Sequence, residues 1–467
     1  MYDVIIIGSG LSSMCFLDTL KKENKNIAII SFKSSPEQSL KSYNIDYYFK
    51  KKNLPPKFII DQTKNLNSLK GFFLKNKIFF DNRLSIFGLL DEGGASNYWG
   101  GSCQFPKLDD INFLNKKNKD ILLNCFDNIY KKYNFTGLYN SDKDNLNNKN
   151  TLLDVNFNKM ISSCSNEQIR YYENCRAMDF TNNKIFTPKN YSHVINKNIK
   201  QLNYLVKKIS KQNNIYKIYC EYNNQEIILK TNKLIMAAGT LATTKLVCSM
   251  VNHKNDLDLD HNPMLFGAFL SKNDILSDNF FPSQLAAEIN LKKDGCNSTA
   301  NFRSSNKAIK KKILDNYFFM DNFVMKKLYD IIDKKILFVN LYIDSKYGCL
   351  RIVIDDHNKF KITLKSNNVK LASTELNKSF NAIYKSLRKN NVIYPLKYSY
   401  VPDIGNDNHY TGTIPINGKS ILSLNENSEL NNYDGLYVID GSAIPRNNLK
   451  FPTGLIMANA SRVGMLI

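Results

Sequence analysis

The sequence predicts a mixed α/β protein, with a Rossmann-like parallel sheet in one unit and a mainly antiparallel sheet with helices in a second. Three observations carry this prediction: an apolar strand and glycine turn at the start of the chain, a second strand-and-glycine segment near its end, and alternating strand patterns between them. The first two are typical of a parallel sheet that binds a nucleotide at its carboxyl edge. The third is typical of antiparallel strands.

The N-terminal segment is a strand followed by a glycine turn and a helical stretch. Val4–Ile7 are four consecutive apolar residues, as in a strand buried on both faces, and they lead directly into Gly8-Ser9-Gly10-Leu11-Ser12-Ser13. Gly8 permits the tight turn, and Gly10 lets backbone N–H groups approach a diphosphate at the helix N-terminus. The strand–turn–helix context favours this interpretation over a glycine turn in some other α/β unit.

The end of the second strand departs from the usual pattern. That strand is Ile27–Ser31, and a carboxylate commonly stands at its end to hold the hydroxyls of the adenosine ribose. Here Ser31 takes the place, followed by Phe32 and Lys33. A serine hydroxyl is a weaker partner for a hydroxyl group than a carboxylate is. We expect Ser31 and Lys33 to lie beside the nucleotide.

Composition indicates a globular protein of two or three domains. The 467 residues contain no apolar run long enough to cross a membrane, so no integral membrane segment is expected. Met1 leads straight into a strand without a signal-peptide core, and we expect a cytoplasmic location. The nine cysteines are dispersed, with no C-x-x-C and no metal-ligand spacing, which is typical of reduced thiols and predicts no metal site.

The formal net charge of +22 raises the question of a polyanionic partner. The lysines, however, are spread along the whole chain, and the clearest basic runs, 50–52 and 310–312, are only three residues long. Runs this short are usually solvated faces. No nucleic-acid-binding module is recognisable, and we expect no nucleic-acid partner.

The middle of the chain predicts a strand meander and then mixed strands and helices. Strand patterns begin at Leu205 and cover 215–220, 226–229 and 233–236, and a helical stretch follows from Leu241 to Met250. Further on, Ile336–Ile343 is predicted as a strand and Ser373–Arg388 as a helix. Only one dinucleotide fingerprint is present, which argues against a flavin enzyme that also binds a nicotinamide cofactor.

Taken in order, several short segments resemble the glucose–methanol–choline oxidoreductase family of flavoenzymes. Each match is weak alone, but together they span the chain in the order of the family. The matching segments are the phosphate loop Gly8-Ser9-Gly10, the second glycine-rich loop 93–101, the adenine position Val206, the turn 237–241, the His-x-x-Gly-Thr element 409–413, the pair Asp440-Gly441, and Pro452-Thr453 at the start of the closing helix.

The resemblance implies a discontinuous FAD-binding domain made of residues 1–105, 196–264 and 403–467, with 106–195 and 265–402 as a substrate or cap domain. It implies non-covalent FAD, because Tyr98 stands where some relatives carry the histidine that attaches the flavin. The residues expected to bind the cofactor are Gly8, Ser9, Gly10, Leu11, Ser12, Ser31, Lys33, Gly94, Ser96, Asn97, Trp99, Gly100, Val206, Ala238, Gly239, Asp440, Gly441 and Thr453.

The resemblance also implies the chemistry: hydride passes from an alcohol or sugar carbon to flavin N5, with His409 as the base. One position departs from the family, because Phe451 replaces the usual His or Asn before the Pro-Thr pair and cannot move a proton. Asn447 or Asn448 is the candidate to compensate. We therefore keep two alternatives, a redox-neutral flavin-dependent isomerase or mutase and a catalytically degenerate flavoprotein. The expected partners are a small hydroxylated substrate and an electron acceptor that the sequence does not identify.

Overall fold

The computed structural model of the chain describes residues 1–21, 25–32, 72–81, 83–97, 99–135, 160–173, 175–179, 184–188, 190, 194–195, 198–275, 285–291, 296–304, 327, 329, 331–355, 359–446 and 450–467. Of the residues named above, Lys33, Tyr98, Asn447 and Asn448 lie outside the described residues, as do both lysine runs.

The described chain alternates strands with a small number of helices. The strands are β1 (Tyr2–Ile7), β2 (Ile27–Ser31), β3 (Ile78–Phe80), β4 (Ile169–Glu173), β5 (Met178–Asp179), β6 (Lys184–Ile185), β7 (Ile199–Asn203), β8 (Leu205–Gln212), β9 (Ile215–Tyr222), β10 (Gln225–Met236), β11 (Leu257–Leu259), β12 (Met264–Ser271), β13 (Leu285–Leu291), β14 (Cys296–Ser304), β15 (Ile336–Ile343), β16 (Leu350–Ile354), β17 (Phe360–Leu364), β18 (Ile393–Tyr400) and β19 (Leu436–Val438). The α-helices are α1 (Leu11–Thr19), α2 (Lys116–Lys132), α3 (Thr240–Val251), α4 (Ser366–Lys389) and α5 (Thr453–Leu466).

The first sheet joins both ends of the chain. Its parallel part has the order β7-β2-β1-β10-β19, and the long strand β10 also pairs with the antiparallel meander of β9 and β8. Leu234 of β10 lies opposite Ile5 of β1 on one side and Leu436 of β19 on the other. The predicted strands at both ends and the predicted meander are confirmed, with 226–229 and 233–236 forming one continuous strand.

The second large sheet is antiparallel and has the order β18-β12-β15-β14-β13-β4. One face of it packs against α4, where the Phe380 ring lies so close to Gly267 that a Cβ added to Gly267 would stand 2.2 Å from it. A smaller sheet contains the four strands β11, β16, β17 and β3. The predicted strand 336–343 is confirmed, and the predicted helix 373–388 begins earlier, at Ser366.

Helices α1 and α5 bring the two ends of the chain into direct contact. The Thr19 hydroxyl donates to the Ser461 carbonyl oxygen at 2.7 Å, and the Ser461 hydroxyl donates to the Cys15 carbonyl oxygen at 3.2 Å. Gly464 allows this close packing, because a Cβ on it would lie 2.4 Å from the Phe16 carbonyl oxygen. Small residues at the crossing therefore decide how near the two helices come.

Core packing differs in part from the predicted domain division. The apolar side chains of α2, among them Leu122 and Phe126, belong to the core that contains β1 and α5, and so do Ile352 of β16 and Phe360 of β17. A second core joins the antiparallel sheet with α4. Apolar residues of 111–135 and 350–362 therefore belong to the same core as the parallel sheet, although the sequence placed these ranges in the cap. For 111–135 the link is the contact of α2 with α5.

The described part of the chain contains no helix that is both long and apolar enough to cross a membrane. All nine cysteines are buried free thiols. Burial raises the pKa of the thiols of Cys103 and Cys248 to about 12 in each case, so these thiols stay protonated and unreactive near neutral pH.

Gly464→Ala should destabilise the protein, although alanine is the better helix former. Its methyl group would meet the Phe16 carbonyl oxygen and the Thr19 hydroxyl, each at 2.4 Å, so we expect the free energy of unfolding to fall by about 1–3 kcal/mol. Chemical denaturation measures this change. Gly100→Ala is the matched control, since nothing lies within 4 Å of its added Cβ. Equal or higher stability of Gly464→Ala would contradict the close helix contact.

Candidate active site

The glycine turn after β1 lies against the end of β10. Gly8 has φ of +110°, and a Cβ there would lie 2.1 Å from the Ala237 carbonyl oxygen, so only glycine fits. The Ser13 hydroxyl donates to the Gly8 carbonyl oxygen at 2.8 Å and holds the turn from the helix side. The first backbone N–H groups of α1 have no acceptor within the helix. This arrangement suits an anion at the N-terminus of α1.

The second glycine-rich loop contacts this turn directly. The Ser9 hydroxyl accepts a hydrogen bond from the Gly93 N–H at 2.8 Å, and the Ser96 hydroxyl accepts one from the Leu11 N–H at 3.2 Å. Asn97 differs from the expectation of a cofactor contact, because its side chain donates to the Glu92 carbonyl oxygen at 2.8 Å and braces the loop internally. The two predicted loops therefore form one wall of the site.

Trp99 lies at the end of the second loop with its indole fixed. Its ring N–H donates to the Phe186 carbonyl oxygen at 2.7 Å. The side chain lines the same space as the glycine turn, and it is the chain's single tryptophan.

Asp440, directly after β19, is buried and surrounded by donors. One carboxylate oxygen accepts from the Gly239 N–H at 2.9 Å and from the Thr243 hydroxyl at 2.5 Å. The other accepts from the N–H and the hydroxyl of Ser442, at 3.0 and 2.5 Å. Burial raises the pKa of the Asp440 carboxyl, and these donors oppose that effect. The carboxylate thus ties the segment after β19 to the N-terminus of α3.

These segments enclose a cavity of about 890 Å³ between the two sheets. Most residues that the sequence singled out line it. They are Gly8, Ser9, Gly10, Leu11, Ser12, Ser31, Gly94, Ser96, Trp99, Gly100, Val206, Ala238, Gly239, His409, Asp440, Gly441 and Thr453. The space between residue 8 and residue 440 is therefore open, and the α1 N-terminus at one end of it fits a diphosphate.

His409 faces the cavity opposite the glycine turns and is half-buried. Its backbone N–H donates to the Asp407 carboxylate at 3.2 Å, and its Nδ1 atom is buried with no hydrogen-bond partner among the described residues. Burial lowers the pKa of His409 below its ordinary value of 6.5, and the negative charge of Asp407 acts in the opposite direction. The imidazole is therefore neutral at pH 7.

Asp407 is held on its other side by the Asp260–Pro263 loop. The Asp407 carboxylate contacts the Nδ1 atom of His261 at 2.9 Å and accepts from the Asn262 N–H at 2.9 Å. Nε2 of His261 accepts from the Cys349 N–H at 2.9 Å, so the ring proton lies on Nδ1 and is donated to Asp407. His261 is thus a buried support for Asp407.

The Phe451 ring packs edge-on against the His409 ring. Its ring centroid lies 5.7 Å from that of His409 and 5.1 Å from that of Tyr342, and the Tyr342 and His409 centroids are 5.5 Å apart. Phe451 therefore contributes an apolar wall. Tyr342 brings a hydroxyl group into this part of the cavity, and burial raises the pKa of that hydroxyl to about 12, so it stays protonated.

Sequence reasoning missed a polar group of the antiparallel sheet that lines the cavity. Arg303 and Asn301 of β14, with Asn340 and Tyr342 of β15, face it, and Arg176 does so from the loop after β4. The available signal was the alternation in Asn301-Phe302-Arg303, whose polar residues point one way and whose apolar residue points to the core. Nothing local, however, indicates which face of the strand meets the glycine-rich loops.

The fold is a mixed α/β arrangement with a Rossmann-like parallel sheet and an antiparallel substrate-type sheet. No family model matches the sequence, and the comparison with curated proteins gave no match. Among solved structures, the chain is similar to pyridoxine 4-oxidase from Mesorbium loti, with a TM-score of 0.62 and 10% sequence identity over 100% of this chain and 99% of that one. At this identity the likeness shows the shared fold.

Asp440→Asn should weaken the whole site by placing an amide NH₂ against groups that are themselves donors. Hydrogen bonds to a charged acceptor contribute about 1.5–3 kcal/mol each, so we expect the free energy of unfolding to fall by about 3 kcal/mol or more. Thermal and chemical denaturation measure the loss. The control is Asp434→Asn, which makes the same change at an exposed position and should cost under about 0.5 kcal/mol. Equal losses in the two variants would remove Asp440 from this role.

Proposed function

We propose that the chain is an FAD-dependent oxidoreductase that oxidises a hydroxyl group of a small alcohol or sugar. The observation that carries the proposal is a single cavity lined both by the N-terminus of α1 and by His409. The first feature suits the diphosphate of a dinucleotide, and the second suits proton removal from a hydroxyl group. The shared fold with an oxidase supports the same reaction class.

The residues present fit a bound FAD along the length of the cavity. The diphosphate would lie at the first turn of α1, the adenine near Val206 and Ser31, and the ribityl chain near Gly441 and Thr453. Bound flavin would supply the hydride acceptor of the reaction. Because Asp440 already accepts four hydrogen bonds from the protein, its contribution is to hold the segment after β19 against the start of α3. We further propose that the flavin is held non-covalently.

His409 would accept the proton of the substrate hydroxyl. Burial keeps the imidazole neutral at pH 7, and Asp407 would stabilise the positive charge that the ring gains. The half-buried position excludes bulk water from one side of the ring, because Phe451 and Tyr342 pack against it. These contacts orient the imidazole.

Phe451 is the observation that favours the second candidate, a catalytically degenerate flavoprotein. Its ring is buried beside His409, where it offers no hydrogen bond to a substrate oxygen. In the active enzyme that we propose, the Tyr342 hydroxyl would supply the missing donor, since it stays protonated and lies next to His409. The proposal leaves the electron acceptor open among oxygen, a quinone and a protein, and it includes a cytoplasmic location.

FAD binding should quench the emission of Trp99, because the chain's one tryptophan lines the cavity. Ser12→Asp places a negative charge at the N-terminus of α1, where it repels the diphosphate but does not harm the helix. We expect it to weaken FAD binding about tenfold or more in a fluorescence titration. Ser12→Asn is the uncharged control of similar size and should bind within about threefold of the wild type. An unquenched, colourless protein that takes up no FAD would overturn the proposal.

His409→Ala should retain FAD and slow its anaerobic reduction by substrate about a hundredfold or more, the usual scale for loss of acid–base help. In the wild type the rate should fall as the pH drops through the lowered pKa of His409, below 6.5, because only the neutral ring accepts a proton. This acid limb should vanish in the variant. His253→Ala, outside the cavity lining, is the control. Unchanged reduction in His409→Ala would exclude the base, and no reduction of the wild type by any alcohol or sugar would favour the degenerate flavoprotein.

A further inference from the structure

The antiparallel sheet presents four polar side chains to the cavity, beside the apolar Phe266 and Phe338. On β14 and β15, Ala300, Phe302, Val339 and Leu341 point into the core against α4, as strand alternation requires. The opposite face carries Asn301, Arg303, Asn340 and Tyr342, and all four line the cavity. Asn301 lies directly opposite Asn340 in the strand register, so the polar side chains form one contiguous patch.

Arg303 is the charged member of this patch and has few partners. One terminal nitrogen of its guanidinium donates to the Asn340 side-chain oxygen at 3.3 Å, whereas Nε is buried with no hydrogen-bond partner. Among the residues that the structure describes, no carboxylate forms an ion pair with Arg303. Burial lowers the pKa of Arg303, as expected for a cation removed from water without a counter-ion.

A second cation stands near the first. Arg176 is 3% exposed, lines the same cavity, and donates to the Gly100 carbonyl oxygen at 3.3 Å and to the Ser102 hydroxyl. Burial lowers the pKa of Arg176 to about 10, and the like charge of Arg303 adds to this effect. Two guanidinium groups in a half-enclosed space create a strong preference for an anion.

Asn301 adds a polar group that also lacks a partner. Its side chain is 8% exposed, and its amide oxygen has no hydrogen-bond partner among the described residues. A buried acceptor left unpaired costs free energy, which a donor on a ligand would recover. An amide oxygen beside a cationic group suits a ligand that carries both a hydroxyl group and an anionic group.

The polar patch lies next to His409, the base that we propose for the oxidation. Tyr342 lies between them, with its ring 5.5 Å from that of His409 and its hydroxyl influenced by the charges of Arg303 and Arg176. A small molecule could therefore place its anionic group at Arg303 and a hydroxyl group at His409. The net charge of +22 would favour the approach of such a molecule to the cavity.

We infer that Arg303, with Asn301 and Asn340, forms an anion subsite, and that the substrate of the proposed oxidation is an alcohol bearing a carboxylate or a phosphate group. The identity of the substrate class rests on the proposed function, whereas the anion subsite can be measured without turnover. Guanidinium groups bind both kinds of anion by paired N–H···O hydrogen bonds, so the shared chemistry defines the class.

The binding experiment titrates the purified flavin-loaded protein with acetate, with inorganic phosphate and with acetamide as the neutral control. The absorbance of the flavin, which would lie in the same cavity, reports on anion binding. We expect a saturable response to at least one anion and none to acetamide. Arg303→Gln should weaken anion binding about tenfold or more, and Arg303→Lys should recover part of it. A stronger response to acetate indicates a carboxylate ligand, and a stronger response to phosphate indicates a phosphate ligand.

Arg83→Gln is the matched control, because Arg83 is exposed at the surface and pairs with Asp81 outside the cavity. It should bind anions as the wild type does. Equal anion binding by Arg303→Gln and the wild type, or an equal response to acetamide, would overturn the anion subsite. A phosphate response that Arg303→Gln leaves unchanged would come from another site, so it would count against the subsite as well.

The kinetic experiment compares flavin reduction by matched pairs, lactate with lactamide and glycerol 3-phosphate with glycerol. In the wild type the anion of at least one pair should have the higher kcat/KM, and Arg303→Gln should reduce that preference about a hundredfold while the neutral partner changes little. Reduction without any dependence on Arg303 would overturn the substrate class and leave the oxidation intact. Anion binding that depends on Arg303 without reduction by any substrate would support the subsite and count against the oxidation.

Discussion

The buried carboxylate of Asp440 is the interaction on which the rest of the site depends. Its two oxygens accept hydrogen bonds from Gly239 and Thr243 at the start of α3 and from Ser442 beyond β19. Removing this charge from water is costly, and only a full set of donors makes it tolerable. Because those donors come from segments about two hundred residues apart, the carboxylate fixes how the last part of the chain meets β10 of the parallel sheet.

Parallel pairing then determines where the cavity lies. β1 and β19 flank β10 in the same direction, so the segments that follow all three strands emerge at one edge. Gly8, Gly239 and Asp440 therefore stand side by side although the sequence separates them widely. The contact of α1 with α5 supports the same edge from behind, through the hydrogen bond of Thr19 to Ser461. The site is thus a consequence of the topology, with the glycines and the carboxylate adapted to it.

The difference between local patterns and contacts of distant segments explains what the sequence could predict. The turn at Gly8 and the strand before Asp440 are local patterns, and their meeting follows from the rules of parallel sheets. The packing of α2 was missed because Phe126 is equally apolar whichever neighbour it meets, and only the folded chain shows that the neighbour is α5. Arg303 was missed for a related reason: strand alternation places it opposite Phe302, but the partner strand and the cavity that it faces are set by residues far away in sequence.

Arg462 shows how this protein treats a buried guanidinium that serves structure alone. It is fully buried between α5 and α2, and its nitrogens donate to the side-chain oxygens of Asn459, Asn118 and Ser428. Each nitrogen of its guanidinium group has a neutral acceptor, and burial lowers its pKa to about 10. Arg303 has one long hydrogen bond and a buried Nε without a partner, although the amide oxygen of Asn301 on the same strand also lacks one. Arg303 differs from Arg462 in being only half-buried and in lining the cavity, so a ligand there could reach the donors that the protein leaves open.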